Sequence, residues 1–312
     1  MTEKRKVNGF LLVSMPLILV MWGSFAAVSK LTLRNMDSFQ LQFWMFGSAA
    51  AIMTVSMLLR RKLAGVFQMK PREVLVTLLC GLPSYLYYLL YTLSLSKIPA
   101  VEASMLNYLF PVMILLFAIP INGERLSLAK GLSLALGVAG TVFIVTGGRL
   151  EGMTLTNLWG DLLALGGAVC WGIFSNLGKW NKQDMESSVY LYTLLSFVLS
   201  AVSLACFSRF RLPSPMEGLG ALWLSLSNIV LTVPLWLRVM KAAPASLVSS
   251  VTFLTPFVTL LFIMLLIGEQ VKPEHAIGLV IVAASIAVQF IRLPVAGRKA
   301  VRIQAQSEAD RL

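Results

Sequence analysis

The side chains that most often carry covalent chemistry are few in this chain, and they are scattered. His275 is the single histidine, and Glu274 is the acid beside it. Cys80, Cys170 and Cys206 lie in separate apolar segments without CxxC spacing, so neither a disulfide framework nor a metal site is indicated. An ATP-binding P-loop motif is also absent from the sequence. We therefore predict that the chain is not an enzyme and that it holds neither a metal nor another cofactor.

Glu102 is the acid that lies well inside an apolar run, where an ionisable group is costly and often functional. It follows Pro99 by three residues, which places it in the first turn of a helix. Two interpretations stay open. The helix dipole alone favours an acid there, or Glu102 is a protonatable group at the outer mouth of a cavity, where it couples the protein's activity to a proton gradient or contacts the amino group of a substrate.

Tyrosines are concentrated in one apolar run, and their hydroxyl-tipped rings can bind aromatic or cationic groups. The set is Tyr85, Tyr87, Tyr88 and Tyr91. Tyr87 and Tyr91 are four residues apart, so a helix presents both on one face. Such residues can face lipid, pack against other helices or line a cavity. Their spacing alone does not distinguish between these three positions.

Composition determines what kind of element positions these side chains. The chain has 312 residues, 57% hydrophobic and 13% charged, with a mean hydropathy of +0.80, which excludes an ordinary soluble enzyme. Its basic residues, the source of the net charge of +12, form short clusters without interleaved aromatics, so nucleic acid is not a predicted partner. Apolar runs of membrane-spanning length predict ten transmembrane helices, at 9–29, 39–59, 73–95, 100–121, 128–147, 158–178, 188–207, 219–240, 245–267 and 276–293.

Lysine and arginine are distributed unequally between the connecting segments. If the N-terminus is cytoplasmic, 19 of the 26 basic residues fall on the inner side and 7 on the outer side. The positive-inside rule therefore places both termini in the cytoplasm. The polar tail at 295–312 has no apolar face, and we expect at most contacts with lipid headgroups there.

The sequence contains an internal duplication. At a shift of 145 residues, Pro99-Ala100 aligns with Pro244-Ala245, and Gly123-Glu124 with Gly268-Glu269. At a shift of 149, Trp22-Gly23 aligns with Trp171-Gly172. The halves are 1–150 and 151–294, and five spans in each give them opposite orientations in the membrane. Inverted repeats are typical of secondary transporters that work by alternating access around a site near the bilayer midplane.

Comparison of the two halves divides the four tyrosines into two pairs that differ in the polarity of the residues aligned with them. Tyr87 and Tyr91 align with Thr232 and Trp236 and keep polar or amphipathic character, whereas Tyr85 and Tyr88 align with valines. On the same criterion Asn107-Tyr108 aligns with Thr252-Phe253. The residues that we predict to line a cavity and bind substrate are Tyr87, Tyr91, Asn107, Tyr108, Trp171, Trp236 and Thr252. Pro111 and Pro256 lie mid-span at matching positions, where each acts as a fixed kink or as a hinge.

The doubled pattern of Pro-Ala, Leu-x-Pro, Gly-Glu and a Gly-rich helix resembles the EamA family of the drug/metabolite transporter superfamily. The stretch from Glu102 to Pro111, EASMLNYLFP, is similar to that of the branch that exports aromatic and other amino acids and paraquat-like compounds. The resemblance covers nearly the whole chain. It implies an all-α integral membrane protein with ten helices in two inverted five-helix halves around a central cavity, located in the bacterial cytoplasmic membrane.

These observations predict a gradient-driven exporter of small metabolites, with aromatic amino acids as the expected substrate class. A multidrug or other metabolite permease of the same fold is the alternative. A channel or a membrane enzyme is disfavoured by the lack of charge rings and of clustered His, Cys, Asp and Glu. We expect the partners to be a small-molecule substrate and membrane lipid, and the protein to act as a monomer.

Overall fold

Helices form most of the part of the chain that the computed structural model describes, which comprises residues 2–124, 127–146, 157–268 and positions 277, 280, 281, 284 and 288. The helices are α1 (Thr2–Thr32), α2 (Ser38–Leu59), α3 (Leu63–Phe67), α4 (Pro71–Lys97), α5 (Ala100–Asn107), α6 (Phe110–Asn122), α7 (Leu128–Thr146), α8 (Leu158–Trp180), α9 (Met185–Phe207), α10 (Pro215–Ser225), α11 (Thr232–Ala242), α12 (Ala245–Thr252) and α13 (Thr255–Ile267). A π-helical segment, Leu226–Val230, connects α10 to α11. The described residues do not include Glu269, Glu274, His275, most of the run predicted at 276–293, or the tail at 295–312.

Seven helical segments in the described part are long and apolar enough to cross a membrane. They are Gly9–Thr32, Ser38–Leu59, Pro71–Lys97, Leu158–Trp180, Met185–Phe207, Pro215–Ala242 and Ala245–Ile267. Phe110–Asn122 and Gly131–Gly140 are shorter apolar helices. Every apolar run predicted between 9 and 267 therefore coincides with a helix or a pair of helices. The five-residue α3 was not predicted from the sequence, because it lies in the basic segment between two runs.

Local sequence signals explain where several helices begin and end. The Asp37 side chain accepts hydrogen bonds from the first N–H groups of α2, and Asp184 does the same for α9. Ser214 and Glu217 form a reciprocal capping box at the start of α10. Gly123 ends α6 and Gly268 ends α13, both in the left-handed region at φ of +67° and +85°. A glycine in this conformation is a common way for a helix to end.

Two of the predicted spans are interrupted in their middle. In the first, α5 ends at Asn107 and α6 begins at Phe110; in the second, α12 ends at Thr252 and α13 begins at Thr255. Pro111 and Pro256 occupy the first turn of the second helix in each pair. A proline lacks an N–H that a first turn would leave unpaired in any case. Each proline therefore begins a new helix rather than bending a continuous one.

Close helix contacts occur at matching positions of the duplication. A Cβ atom on Gly172 in α8 would lie 2.5 Å from Cβ of Met113 in α6. A Cβ atom on Gly23 in α1 would lie 2.6 Å from Cγ1 of Val258 in α13. Gly172 and Gly23 are 149 residues apart, and Met113 and Val258 are 145 apart, which are the two shifts of the sequence repeat. Glycine lets both helix pairs approach this closely.

Candidate functional site

A small cavity lies where α1, α4, α8, the π-helical segment and the two interrupted helix pairs meet. Its volume is about 20 Å³, which is room for roughly one water molecule. Aromatic rings make up most of the wall, and none of the described residues that line it is charged. The lining residues are Trp22, Phe25, Ala26, Tyr87, Tyr88, Tyr91, Asn107, Tyr108, Phe110, Trp171, Asn228 and Thr255.

The rings around the cavity pack on one another in edge-on and tilted arrangements. Trp171 is the centre of this group: its ring centroid lies 4.6 Å from that of Tyr87 and 5.2 Å from that of Trp22. Phe25 stacks on Tyr91 with centroids 5.4 Å apart. Ring pairs at these separations stabilise each other beyond their buried area. The wall is therefore a pre-arranged aromatic surface that offers ring faces and edges to a guest.

Most of the tyrosine hydroxyls in the wall already make hydrogen bonds within the protein. Tyr88 donates to the backbone oxygen of Asn228 at 2.6 Å, Tyr91 bonds the Ser104 hydroxyl at 3.0 Å, and Tyr108 donates to Thr259. These bonds fix the rings in place. They leave little hydrogen-bonding capacity for a guest from these three hydroxyls, so polar recognition must come from elsewhere in the wall.

The side-chain amide of Asn107 provides that capacity. Its Nδ2 donates over 3.5 Å to the Tyr87 hydroxyl, and its Oδ1 accepts no hydrogen bond from any group in the described part of the chain. Asn107 is only 2% exposed and is the last residue of α5. A buried carbonyl oxygen without a donor is costly. Asn107 therefore brings an unused hydrogen-bond acceptor, at a helix C-terminus, to the wall of the aromatic cavity.

Five of the seven residues predicted to bind substrate are brought together in this wall: Tyr87, Tyr91, Asn107, Tyr108 and Trp171. The other two do not line it. Trp236 is fully buried behind it, where its ring lies 4.9 Å from that of Trp22 and its Nε1 donates to Ser175. Thr252 is also buried and donates to the backbone oxygen of Ser249.

Several wall residues were not selected from the sequence: Trp22, Phe25, Ala26, Tyr88, Phe110, Asn228 and Thr255. Tyr88 aligns with Val233, so comparison of the halves gave no signal for it. Its ring lines the cavity because the part of α4 that faces the wall is wider than the single face that carries Tyr87 and Tyr91. Trp22 could have been selected through its alignment with Trp171. The role of Asn228 depends on the π-helical segment, which the sequence did not predict.

Glu102 is not part of the cavity wall. It lies in the first turn of α5, five residues before Asn107, and its carboxyl group neighbours that of Asp161 in α8. The sequence gave no indication of Asp161, which is near the start of its span. In the described part of the chain, no group of three or more His, Cys, Asp and Glu side chains could hold a metal ion.

A second polar cluster lies at the opposite end of α8. Lys179 Nζ is 2.7 Å from Glu124 Oε1 and donates to the backbone oxygen of Ala243, while the same Glu124 oxygen accepts from Ala245 N. Glu124 lies just after α6, and Lys179 lies in the last turn of α8. These contacts therefore join the two residues to each other and to the start of α12. At the equivalent position of the duplication, Lys30 Nζ donates to the backbone oxygen of Ile98.

Comparison with known proteins gives consistent matches over this whole arrangement. The family model described as EamA-like transporter family matches residues 10–146 and 158–291. An uncharacterized transporter of Archaeoglobus fulgidus is 27% identical over 86% of this chain and 93% of its own length. The aromatic amino acid exporter YddG of Ancylobacter novellus is 26% identical over 62% of this chain and 67% of its own length. A solved crystal structure with 23% sequence identity superposes with a TM-score of 0.75, covering 91% of this chain and 96% of the other, and shows the fold alone.

Proposed function

The chain belongs to the EamA-like transporter family, and on that premise we propose that it is a secondary transporter that exports amino acids with aromatic side chains by alternating access. One observation carries this substrate class: the cavity wall is aromatic and uncharged, with an unpaired acceptor at Asn107. Ring faces suit an aromatic side chain, and the Asn107 oxygen suits the substrate's ammonium group. Similarity to the Ancylobacter novellus exporter supports the same class.

The architecture that we propose is ten transmembrane helices in two inverted five-helix halves, 1–150 and 151–294. Two sets of equivalent contacts support it: the glycine contacts of Gly172 and Gly23, and the carbonyl contacts of Lys179 and Lys30. The distribution of basic residues supports a topology with both termini in the cytoplasm. Similarity to bacterial transporters supports a location in the bacterial cytoplasmic membrane. We keep the prediction of a monomer.

Transport requires the cavity to enlarge. The cavity has room for roughly one water molecule, which is far too little for an amino acid. The breaks at Tyr108-Leu109 and Phe253-Leu254 interrupt helices beside the cavity, and a broken helix can change the angle between its parts more easily than a continuous one. We infer that α5 and α12 move relative to α6 and α13, with Pro111 and Pro256 marking where each hinge ends.

A flat organic cation is the second candidate substrate, because an aromatic cage without positive charge also attracts cations through their interaction with ring faces. The two candidates differ in what they require of Asn107. An amino acid has a hydrogen-bonding ammonium group, whereas a paraquat-like dication has no N–H and gains nothing from the Asn107 oxygen. Loss of that oxygen therefore affects the two substrates differently.

The test is uptake of labelled phenylalanine, threonine and paraquat into proteoliposomes. We expect phenylalanine to be preferred, and Trp171→Leu to weaken its apparent affinity about tenfold, the equivalent of a lost aromatic pair of roughly 1.4 kcal/mol. Trp180→Leu, in the same helix but half exposed, is the matched control and should leave transport unchanged. Absence of transport of all three compounds would remove the proposal.

The Asn107 variants decide between the two substrates. Asn107→Ala should weaken phenylalanine transport by about tenfold, the cost of one hydrogen bond to a charged group, and leave paraquat transport within about twofold of the unmodified protein. If paraquat is transported and phenylalanine is not, the alternative of a multidrug permease replaces the amino acid exporter.

A further inference from the structure

The short helix α3 lies at one membrane face, in the segment that connects α2 to α4. α2 ends at Leu59 and α4 begins at Pro71, and both helices are long and apolar enough to cross a membrane. The connecting segment therefore stays at one surface. A Cβ atom on Gly65 in α3 would lie 3.6 Å from the Ser187 hydroxyl, so α3 rests on the first turn of α9. The connection lies against the end of the helix bundle.

This segment combines positive charge with exposed apolar side chains. Phe67, the last residue of α3, is 81% exposed, and Leu59, the last residue of α2, is 80% exposed. No acid occurs between positions 60 and 72, whereas the basic residues there are Arg60, Arg61, Lys62, Lys70 and Arg72. Apolar side chains flanked by cations are typical of segments that lie in the membrane interface, where the apolar groups enter the acyl chains and the cations meet the headgroups.

Most of this positive charge is not neutralised by acids of the protein. Lys62 forms an ion pair with Glu186 at 2.7 Å, and Glu186 is shared with Arg238 at 4.0 Å. Glu73, the next acid along the chain, accepts a hydrogen bond from the Lys70 backbone N–H and caps α4. The other four basic residues of the segment are exposed and form no ion pair with an acid among the residues that the structure describes. Four cations are therefore available to an anion outside the protein.

The backbone at Arg61 carries a charged side chain at a conformational cost. Its φ is +54°, in the left-handed region, and the Lys62 N–H donates to the backbone oxygen of Met57 at 2.9 Å. These are the features of a Schellman motif at the end of α2, in which glycine is the usual residue because it has no Cβ to strain. Arg61 thus places a cation where the local backbone favours glycine.

From these observations we propose that the segment from Arg60 to Arg72 is a binding site for an anionic phospholipid, an inference that does not depend on what the protein transports. The four unpaired cations bind the headgroup, and Phe67 lies among the upper acyl-chain carbons. A zwitterionic headgroup has no net charge, so this site favours a lipid with net negative charge. On the topology proposed above, the surface faces the cytoplasm and the lipid belongs to the inner leaflet.

The first experiment measures lipid selectivity and locates the site. Tm of the purified, delipidated full chain in detergent is followed as dioleoylphosphatidylglycerol or dioleoylphosphatidylcholine is added. The first lipid should raise Tm, because a ligand that binds the folded state stabilises it, and the second should have little effect. In Lys70→Gln and Arg72→Gln the concentration for half of the Tm rise should increase about fivefold each, the equivalent of about 1 kcal/mol per cation.

A matched control uses basic residues at the opposite membrane face. Arg34 follows α1 and Lys97 ends α4, and both are exposed without an ion pair in the described part of the chain. In a micelle both ends of the protein meet added lipid, so Arg34→Gln and Lys97→Gln test whether any exposed cation suffices. Both should keep the half-rise concentration within about twofold of the unmodified protein.

Arg61→Gly separates lipid binding from a structural role. Glycine relieves the left-handed backbone, so Tm without lipid should rise, while the loss of one cation should weaken the response to phosphatidylglycerol about fivefold. A residue with only a structural role would not change the two readouts in opposite directions. If Arg61→Gly, Lys70→Gln and Arg72→Gln all keep the response of the unmodified protein, the site is refuted.

Two further arms identify the ligand as a membrane lipid. Phe67→Ser should weaken the response to phosphatidylglycerol about tenfold, because one aromatic ring no longer enters the apolar region. Leu212→Ser, at a residue that is 73% exposed in the segment between α9 and α10, should leave it unchanged. If sn-glycerol 3-phosphate raises Tm as phosphatidylglycerol does, the ligand is a free phosphate ester and the proposal is overturned. Equal responses to phosphatidylcholine and phosphatidylglycerol would likewise overturn the preference for negative charge.

Discussion

The contact between α8 and α6 allows a sharp test of the packing described above, by the substitution Gly172→Ala. The added Cβ would lie 2.5 Å from Met113 Cβ and 2.7 Å from its backbone carbonyl carbon. Ordinary contact begins near 3.4 Å, so α6 must retreat by about 0.9 Å, because the position of a Cβ atom is fixed by its backbone and rotation of the side chain cannot move it away. Overpacking of this kind costs about 1–3 kcal/mol.

Gly167→Ala in the same helix is the matched control. A Cβ there meets its nearest atoms at 3.5 Å or more, which is ordinary contact. Both substitutions gain the same intrinsic helix propensity of about 1 kcal/mol, so the difference between them isolates the clash. Unfolding by heat or by increasing sodium dodecyl sulfate should show Gly172→Ala less stable than Gly167→Ala by about 1–3 kcal/mol. Equal stability of the two variants would refute the close approach of α8 and α6.

Two further predictions concern charged groups at the ends of helices. The backbone N–H of Ser187 hydrogen-bonds the side chain of Asp184, the N-cap of α9, and lowers the pKa of that carboxyl group. The cap therefore stabilises the protein above the usual aspartate pKa, and this stabilisation is lost as the pH falls through the lowered value. Measured by Tm in detergent, Asp184→Ala should cost about 1 kcal/mol at neutral pH and nearly nothing in strong acid, whereas Asp184→Asn keeps the cap. A double-mutant cycle on the largely buried Lys179–Glu124 pair should give a coupling energy of about 1–3 kcal/mol. The more exposed Lys62–Glu186 pair should give less than about 1 kcal/mol. Equal coupling energies would contradict the difference in burial between the two pairs.

The family and the cavity-lining side of α4 could be predicted from the sequence, for different reasons. The family depends on a repeated pattern of Pro-Ala, Leu-x-Pro and Gly-Glu, which is visible without coordinates, and it is confirmed. Tyr87 and Tyr91 share a face because of the helical period, and both lie in the cavity wall. Trp236 passed the same comparison but lies behind the wall, since similarity between halves also preserves residues that only support packing.

Other features could not be predicted because they depend on contacts between distant segments. The meeting of Glu102 with Asp161, and of Glu124 with Lys179, joins residues about 55 to 59 positions apart. The sequence contains each of these charges, but the pairing follows from how α5 and α6 pack on α8. Asn228 lies in a π-helical segment that lines the cavity, and no local sequence pattern predicted that segment.

The sequence by itself determined that this chain is a membrane protein, that it contains an internal duplication and which family it belongs to. Apolar runs, loop charges and repeated motifs are properties of the chain read in order, and they do not depend on which helices touch. The tertiary structure decided which rings form the cavity wall, why Asn107 retains an unpaired oxygen and which acid stands beside Glu102. These are consequences of helix packing, in which the identity of a neighbour is set by distance in space and not by distance along the chain.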